Sequence, residues 1–314
     1  MSILVLEPGV LASIQDPFGR PGWQHLGVPV GGAADAWSAR LANRLLGNAD
    51  GAATIEITLG HASIRFEAAT VVAVTGGLES SVDGLSLPAA TASTVRAGST
   101  LRLGPGHGLR SYVAVAGGIS VASVLGSPST DLRTGFGGLS GRALRPGDRL
   151  QIGMGATVRH QWRGRRSDGP IRIVPGPHAD WLVAPGTLDA RAWSVSASSD
   201  RTGVRLEGDR LEIRHGEVAS LGLPLGAIQV PPDGMPIIAL ADRPVTGGYP
   251  VPVVVARADV GRVAQLRPGD EVSLRAISLE EARDALRGAE EELAALEALD
   301  APGDDELGWA GSHE

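Results

Sequence analysis

The sequence predicts a mainly β protein in which one β-rich domain, of the barrel or sandwich type, is duplicated. Short apolar segments alternate with turns rich in glycine or proline through most of the 314 residues, as they do in barrels and sandwiches. The stretches ALRPGDRLQIG (143–153) and QLRPGDEVSLR (265–275) share L-R-P-G-D before an alternating strand, and TVRAGSTLRLG (94–104) is a weaker copy. Each L-R-P-G-D run predicts a turn that leads into the last strand of a barrel.

The segment TIEITLG (54–60) is representative of the predicted strands. Ile55 and Ile57 fall on one face and Glu56 falls on the other, which is the alternation of a half-buried strand. The stretch SIRFEAATVVAVTGG (63–77) predicts two more strands around a turn. Strands of this kind make up most of the predicted fold.

Two helices interrupt the predicted strands. The first is expected in residues 33–46, where Trp37, Leu41 and Leu45 recur every four positions. Asp35 lies in its first turn, where a negative charge suits the helix dipole.

The second predicted helix spans residues 278–299 and opens with a capping box formed by Ser278 and Glu281. Its apolar side is predicted to consist of Leu279, Ala282, Leu286, Leu293 and Leu296. The opposite side of this helix is strongly acidic. We expect this helix to dock on the second domain and residues 300–314 to form a disordered tail.

The polar, basic stretch VRHQWRGRRSDGPIR (158–172) is the best candidate for a linker between domains. It divides the chain into an N-terminal domain (1–165) and a C-terminal domain (166–277). Residues 278–314 then hold the last helix and the tail.

The composition excludes several chemistries. The chain has no cysteine, and all 28 of its basic residues are arginine, because it contains no lysine. Disulfides, thiolate catalysis and cysteine-bound metals are therefore excluded. The lack of lysine excludes a Walker-type P-loop, a Schiff base to the enzyme and covalently attached biotin.

The net charge of −7 argues against nucleic acid or an anionic membrane as a partner. The longest apolar stretch, SYVAVAGGISVASVL (111–125), is interrupted by two glycines and is too short to span a bilayer. The chain also lacks a signal-peptide pattern at its start. A cytoplasmic location is expected.

A polar loop near the start of the chain is the first candidate site. Glycines in the stretch GRPGWQHLGVPVGGAAD (19–35) allow close approach of the backbone to a ligand. Its side chains Arg20, Gln24 and His25 are predicted to converge on a carboxylate, carbonyl or phosphate. The alternative is a structural loop that is held by its own polar groups.

The second candidate site combines residues 198–208 with residues 226–250. Rigid turns around a few polar side chains are typical of a small-molecule pocket, but also of a barrel corner. Those polar side chains are Gln229, Asp242, Thr246 and Tyr249. Locally, Asp200 and Arg201 are predicted to form an ion pair that closes a turn.

Two further features carry weaker signals. The long Gly/Ser/Thr loop at 124–148 contains TGFGG, but no lysine follows it, so a flexible interface loop is the better prediction. The seven histidines are scattered without metal-ligand spacing, so no metal site is predicted.

The order of several motifs resembles one protein family. They are SIQDPFGRPGWQHLGVPVGGAAD (13–35), LANRLLGN (41–48), SSDRTGVRLEG (198–208), GAIQVPPDGMP (226–236) and ADRPVTGGYP (241–250). Together they resemble the allophanate hydrolase subunit 2 family, also called the biotin-dependent carboxyltransferase family, which includes the C component of 5-oxoprolinase and KipA. The resemblance implies two tandem cyclophilin-like β-barrel domains with a few helices and a C-terminal helix.

The resemblance also implies partners and three candidate functions. The first is a subunit of a heteromeric 5-oxoprolinase, which opens 5-oxoproline to glutamate with a subunit 1 (KipI-like) protein and a large subunit, ATP being bound through the complex. The second is a carboxyltransferase module for urea or a similar acceptor, with biotin supplied by a separate carrier. The third is a KipA-like regulator without catalysis, which binds a KipI-like partner.

Carried onto this chain, the resemblance marks a shared ligand site. The catalytic candidates are His25, Asp242 and Glu56. The binding candidates are Gln15, Arg20, Gln24, Gln229, Thr246 and Tyr249. The chain departs from the family's usual residues at Thr202, at Leu221, where the family often has an acid, and at Arg243, where it often has histidine. If these positions are catalytic in the family, this chain is altered. If they line an interface, nothing is lost.

Overall fold

The computed structural model describes residues 1–153, 155, 158–164, 168–184, 186–214 and 218–299. The predicted boundary between residues 165 and 166 and the predicted tail at 300–314 lie outside the described residues. The described chain is mainly β and has two β-rich units, so the predicted fold class is confirmed.

The N-terminal unit is a ten-stranded sheet. Its strands are β1 (Ser2–Pro8), β2 (Leu11–Gln15), β3 (Thr54–Thr58), β4 (Ala62–Phe66), β5 (Thr70–Val82), β6 (Leu85–Ser86), β7 (Ser93–Val95), β8 (Thr100–Val115), β9 (Ile119–Ser120) and β10 (Arg149–Ile152). The order is β2-β3-β8-β4-β1-β10-β9, and β5 pairs with β8 and carries β6 and β7. Apolar side chains such as Ile14, Ile55 and Phe66 fill the curved sheet and are fully buried.

The C-terminal unit is a closed barrel in the order β12-β19-β16-β17-β14-β13-β20. Its strands are β12 (Ile171–Pro175), β13 (Ala192–Val195), β14 (Gly203–Glu207), β16 (Ala227–Gln229), β17 (Ile237–Ala239), β19 (Val253–Val255) and β20 (Glu271–Ala276). There are also two small ribbons in the described residues. β15 (Leu221–Gly222) with β18 (Thr246–Gly247) belongs to the C-terminal unit, whereas β11 (His160–Gln161) with β21 (Glu297–Ala298) lies against the N-terminal unit, where the Ala92 N–H donates to the His160 carbonyl. Trp193, Leu206 and Ile228 lie in the barrel core.

The described residues contain few helical segments. They are α1 (Ala36–Leu45), α2 (Val260–Val263), α3 (Leu279–Ala294) and the 3₁₀ turns Gln24–Leu26, Ala179–Trp181 and Arg257–Asp259. None of the helices in the described ranges is long and apolar enough to cross a membrane.

The two L-R-P-G-D runs fold into the same turn. The Asp148 carboxylate accepts the Arg145 N–H at 2.8 Å, and the Asp270 carboxylate accepts the Arg267 N–H at 2.7 Å. The glycine before each aspartate has a left-handed φ, 90° and 86°, which disfavours other residues. The two turns lead into β10 and β20, as the sequence predicts.

The prediction of a half-buried strand at 54–60 is wrong. Ile55, Glu56 and Ile57 are all at most 1% exposed, so both faces of β3 are covered. The apolar face joins the core of the N-terminal unit. The face that carries Glu56 is covered by α1 and the residues that precede it, and by Arg201 of the C-terminal unit.

Helix α1 forms where the sequence predicts it. Asp35 caps the helix from the position before its first turn and accepts hydrogen bonds from the Ser38 N–H at 3.2 Å and the Ser38 hydroxyl at 2.7 Å. Leu41 and Leu45 are buried, and Trp37 packs edge-on against Trp162.

Helix α3 has the predicted capping box, but it ends at Ala294 and its docking prediction needs correction. The Trp37 indole donates to the Ala289 carbonyl at 3.1 Å, and the buried Leu293 packs with α1 of the N-terminal unit. The helix also contacts β12 and the 257–259 turn, so it bridges both units. Leu279 and Leu286 are 60% and 38% exposed, so the predicted apolar side is covered only in part.

Candidate functional site

A buried network of charged side chains joins the two units, and Glu56 on β3 is its centre. Its Oε2 accepts hydrogen bonds from the Ala34 N–H at 2.8 Å and from the Tyr112 hydroxyl at 2.9 Å. Its Oε1 accepts a hydrogen bond from Arg201 Nη1 of the C-terminal unit and lies 3.8 Å from Arg110 Nε. Both oxygens of this candidate catalytic residue are therefore occupied by groups of the same chain.

All three nitrogens of the Arg201 guanidinium donate hydrogen bonds in this network. Nε and Nη2 donate to the two Asp242 oxygens at 2.9 and 3.1 Å, and Nη2 also donates to the Gly32 carbonyl at 2.7 Å. The predicted ion pair between Asp200 and Arg201 does not form. Asp200 instead accepts the Thr202 and Gly203 N–H groups, because its short side chain reaches those turn donors while the longer arginine extends across the junction.

The charges in this network stabilise one another. Burial alone would raise the pKa of Glu56, but the cations of Arg201 and Arg110 hold that pKa below its ordinary value. Burial works against the Arg201 cation, yet Glu56 and Asp242 raise the pKa of Arg201. Burial, then the charge of Glu56, raises the pKa of Tyr112. Glu56 is thus a carboxylate and Arg201 a cation at neutral pH, and Asp242, with 23% of its side chain exposed, is the accessible end of the chain of charges.

Polar side chains from both units extend the network. The Asp35 N–H donates to the Tyr112 oxygen at 2.7 Å, and Gln265 Nε2 donates to Asp35 Oδ2 at 2.9 Å. Gln265 also accepts the Arg110 N–H at 3.0 Å. The residue just before the second L-R-P-G-D run therefore ties the C-terminal barrel to the backbone of β8 at Arg110.

A second cluster surrounds Arg20 and Asp16. Arg20 is fully buried, donates from Nη2 to the Ser129 carbonyl and lies over the Phe136 ring at 4.7 Å. Asp16 accepts the hydroxyls of Ser127 and Ser129 and the Gly19 N–H. The interpretation of 124–148 as a flexible loop does not fit these contacts, because Ser127 and Ser129 are buried and bonded to Asp16.

Gln15 belongs to the same cluster. It is fully buried, and its amide nitrogen donates to the Ser13 hydroxyl at 3.0 Å and to the Thr130 carbonyl at 3.2 Å. Gln15 Oε1 and Arg20 Nη1 are buried without a hydrogen-bond partner among the described residues. The start of the first candidate loop is thus anchored by contacts with the 124–148 segment.

Gln24 and His25 lie apart from Arg20. The hydrogen bond from the Arg20 N–H to the Val30 carbonyl at 2.8 Å closes the base of a projecting loop, and all of residues 21–27 at its tip are exposed. His25 Nδ1 lies 2.9 Å from the Gly22 carbonyl oxygen, and Gln24 accepts the Gly22 N–H. The predicted convergence of Arg20, Gln24 and His25 is wrong, because the arginine points inward and the other two outward.

The segment ADRPVTGGYP distributes its side chains to separate places. Asp242 lies in the junction, whereas Thr246 is exposed on the β15–β18 ribbon. Gln229 is buried beside Gly247, where a Cβ would lie 2.4 Å from its amide nitrogen. Tyr249 is 44% exposed and lines a cavity of about 660 Å³ at one end of the barrel, together with Arg210.

The sequence did not lead us to predict Tyr112 and Arg110 as members of these networks. Tyr112 pairs directly with Glu56 across the β3–β8 ladder, and Arg110 lies two positions earlier on the same face. Arg110 and Tyr112 stand two positions apart in the apolar strand β8, and this spacing is the sequence signal that places both side chains on one face of the strand. The described residues contain no group of three or more potential metal ligands.

Comparisons with known proteins agree with this architecture. Residues 26–276 match the family described as carboxyltransferase domain, subdomain A and B. The chain is 38% identical to the C component of the 5-oxoprolinase of Escherichia coli over 90% of this chain and 93% of that protein. It is 35% identical to the protein of the same name from Haemophilus influenzae, over 88% and 92%.

A solved structure shows the same arrangement. The crystal structure of the Kluyveromyces lactis urea carboxylase superposes with a TM-score of 0.87 at 30% identity over 93% of this chain. This chain spans only 29% of that protein. The two β-rich units thus have a carboxyltransferase-type fold. The chain belongs to the carboxyltransferase domain, subdomain A and B, family.

Proposed function

We propose that this chain is a subunit of a heteromeric, ATP-dependent amidohydrolase of the 5-oxoprolinase type, which opens 5-oxoproline to glutamate. Its partners would be a subunit 1 (KipI-like) protein and a large 5-oxoprolinase subunit. The observation that carries the proposal is end-to-end similarity: the chain matches 93% and 92% of two proteins named as the C component of 5-oxoprolinase. The urea carboxylase match covers 29% of that much larger chain.

The site geometry supports a function that needs partner subunits. His25, the titratable candidate that a substrate can reach freely, projects on the loop tip, and its described polar contact is with the Gly22 carbonyl. A general acid or base acts only when the substrate is held within hydrogen-bond reach of it, and an exposed loop tip does not hold a substrate by itself. We propose that a partner surface covers this tip and supplies the other groups, and that ATP binds through the complex, since this chain has no lysine and therefore no Walker-type P-loop.

The remaining candidate residues fall into an exposed group and a buried group. Gln24, Thr246 and Tyr249 are exposed and are proposed to contact substrate or a partner. Glu56, Gln15, Arg20 and Gln229 are buried and are proposed to hold the loops and the junction in position. Asp242 is the one member of the junction network that is proposed to reach the reacting groups.

The carboxyltransferase function is the second candidate, favoured by the TM-score of 0.87 to the urea carboxylase. In that case biotin must be carried by another chain, because the lysine that would bear it is absent here. Urea or a similar small molecule would accept the carboxyl group.

An omission experiment separates these functions. The chain, its subunit 1 partner and the large subunit are combined, and glutamate formed from 5-oxoproline is measured with and without ATP, leaving out one chain at a time. ATP-dependent glutamate that is lost without this chain supports the proposal. An intact complex that forms no glutamate contradicts it. Carboxylation that avidin blocks would then identify the carboxyltransferase, and tight binding without turnover a KipA-like regulator.

A further inference from the structure

The projecting loop of residues 20–30 is narrow at its base. The Arg20 N–H donates to the Val30 carbonyl at 2.8 Å. Gly19 and Gly32 lie on either side of this bond, and both have a left-handed φ, of 62° and 90°. A Cβ on Gly32 would lie 2.9 Å from the Gly19 nitrogen, so the two ends of the loop meet without a side chain between them.

The tip of this loop is hydrogen-bonded within itself. The Gly22 N–H donates to Gln24 Oε1 at 2.7 Å, and His25 Nδ1 lies 2.9 Å from the Gly22 carbonyl oxygen. The Gly27 N–H donates to the Gln24 carbonyl at 2.9 Å. Because residues 21–27 are exposed and joined to one another, we expect the tip to move as one body about the base.

The C-terminal unit also holds the base of the loop. Arg201 Nη2 donates to the Gly32 carbonyl at 2.7 Å. Two positions along the chain, the Ala34 N–H donates at 2.8 Å to Glu56, which is the ion-pair partner of Arg201. The buried ion pair therefore fixes the backbone on both sides of Ala33, where the chain passes from the loop to α1.

The barrel in turn holds Arg201. Its Nε and Nη2 donate to the two Asp242 oxygens at 2.9 and 3.1 Å, and its carbonyl accepts the Asp242 N–H at 2.9 Å. Arg201 lies just before β14 and Asp242 just after β17, and these two strands are paired. The Arg201 side chain is also 94% buried, with 6% exposed. The guanidinium therefore keeps a fixed orientation relative to the barrel.

We propose that Arg201 is a positioning residue, which sets from the C-terminal unit the direction in which the loop projects and thus the place of His25. His25 lies five positions after Arg20, so the chain between them spans at most ~17 Å. A rotation of about 10° at the base would then move the imidazole by up to ~3 Å, which is enough to break a hydrogen bond to a substrate. The effect on turnover rests on the proposed function, whereas the effect on the loop is a property of the isolated chain.

The test is Arg201→Lys in the full chain. Lysine keeps the positive charge, but its single nitrogen cannot reproduce the hydrogen bonds of a guanidinium to three acceptors. Hydrogen exchange of the purified chain, measured by mass spectrometry, should become faster by about tenfold or more in residues 19–33, the effect of losing one charge-assisted hydrogen bond. Trp23, labelled as 5-fluorotryptophan and assigned with Trp23→Phe, should change its ¹⁹F chemical shift.

Arg172→Lys is the matched control. Arg172 is another arginine of the C-terminal unit that binds both oxygens of a buried aspartate, Asp259, at 2.9 and 2.6 Å. The hydrogen bonds described for it lie away from the loop, so its variant should leave the exchange of residues 19–33 and the Trp23 signal unchanged. Unchanged exchange in Arg201→Lys, or equal exchange in the two variants, would overturn the proposal.

Turnover of the reconstituted complex tests the consequence for His25. Arg201→Lys should lower kcat by about tenfold or more with little change in KM, whereas Arg172→Lys should leave both unchanged. A faster-exchanging loop with an unchanged kcat would overturn the positioning role. An inactive wild-type complex would contradict the proposed function alone, because the exchange measurement still decides whether Arg201 directs the loop.

Asp242→Asn decides the question if Arg201→Lys does not fold. The amide has one acceptor oxygen where the carboxylate has two, so Arg201 loses one of the two hydrogen bonds that orient it. Faster exchange in residues 19–33 of Asp242→Asn would support the proposal. Exchange equal to that of the wild type would overturn it.

Discussion

Arg201 of the C-terminal barrel and Glu56 of the N-terminal sheet form a buried ion pair, with 6% and 1% of their side chains exposed. The two residues come from different units, so their contact couples the folding of each unit to the packing of the other. Glu56 also accepts two hydrogen bonds from its own unit, and Arg201 also binds Asp242. Removing either member leaves the buried network one charge out of balance, because Arg201 then keeps only Asp242 and Glu56 keeps only Arg110, at 3.8 Å.

Glu56→Gln should lower the free energy of unfolding by about 3 kcal/mol, because loss of one partner of a buried pair leaves an uncompensated charge. Urea denaturation followed by tryptophan fluorescence measures the change. Asp284→Asn is the control, since it breaks the exposed Asp284–Arg287 pair on α3 and should change the stability little. Similar losses in the two variants would show that burial at the junction has no special role.

The same pair predicts a pH dependence. The pKa of Glu56 is lower in the folded protein than its ordinary value of about 4.3, so it adds stability above that pH. This contribution is lost as the pH falls through the folded-state pKa. The stability difference between the wild type and Glu56→Gln should therefore be constant from about pH 5 to 7 and shrink below about pH 4. A difference that grows in acid would contradict this direction.

Tyr112→Phe should destabilise the chain by about 1–3 kcal/mol, because the tyrosine oxygen donates to Glu56 and accepts the Asp35 N–H. The variant leaves these two buried polar groups with one partner fewer each. The ring itself is retained, which separates the hydrogen bonds from the packing. Chemical denaturation measures the loss, and an unchanged midpoint would show that water replaces the hydroxyl.

Leu293→Ala tests whether α3 bridges the two units. Leu293 is fully buried against α1, so its truncation should cost about 2–4 kcal/mol. Leu286→Ala on the same helix is the control, because Leu286 is 38% exposed and has less area to lose. Equal effects of the two substitutions would show that α3 is not held by this leucine.

His25→Ala should separate stability from function. His25 is exposed and its described polar contact is with a carbonyl of its own loop, so the unfolding midpoint should not move. Loss of a general acid–base group should lower the turnover of the reconstituted complex by about 100-fold or more. Val10→Ala, at an exposed position away from the site, is the control for losses of turnover that arise from preparing a variant protein. Full turnover in His25→Ala would remove this histidine from the chemistry.

Local signals in the sequence predicted the parts of the fold that depend on neighbouring residues. The L-R-P-G-D turns, the start of α1 and the Ser278–Glu281 capping box all form between residues a few positions apart. Such patterns need no knowledge of the remaining chain. The mainly β class followed from the same kind of signal, repeated along the chain.

The junction could not be predicted in this way. Arg201 and Glu56 are 145 positions apart, and the Trp37–Ala289 contact that helps to dock α3 spans 252 positions. The local sequence favoured Asp200 as the partner of Arg201. That prediction did not take into account the turn N–H groups that compete for the short aspartate side chain. Alternation placed Glu56 on the correct face of β3, but only the packing of α1 and of the second unit shows that this face is covered.

The proposed function is tested most directly by adding this chain back to a complex that lacks it. The subunit 1 partner and the large subunit are mixed with 5-oxoproline and ATP, and glutamate and ADP are measured as increasing amounts of this chain are added. Glutamate formation that starts from none, rises with the added chain and then saturates, with ADP formed in parallel, is the predicted result. Glutamate formation that is unchanged by the added chain would contradict the assignment of this chain to the enzyme.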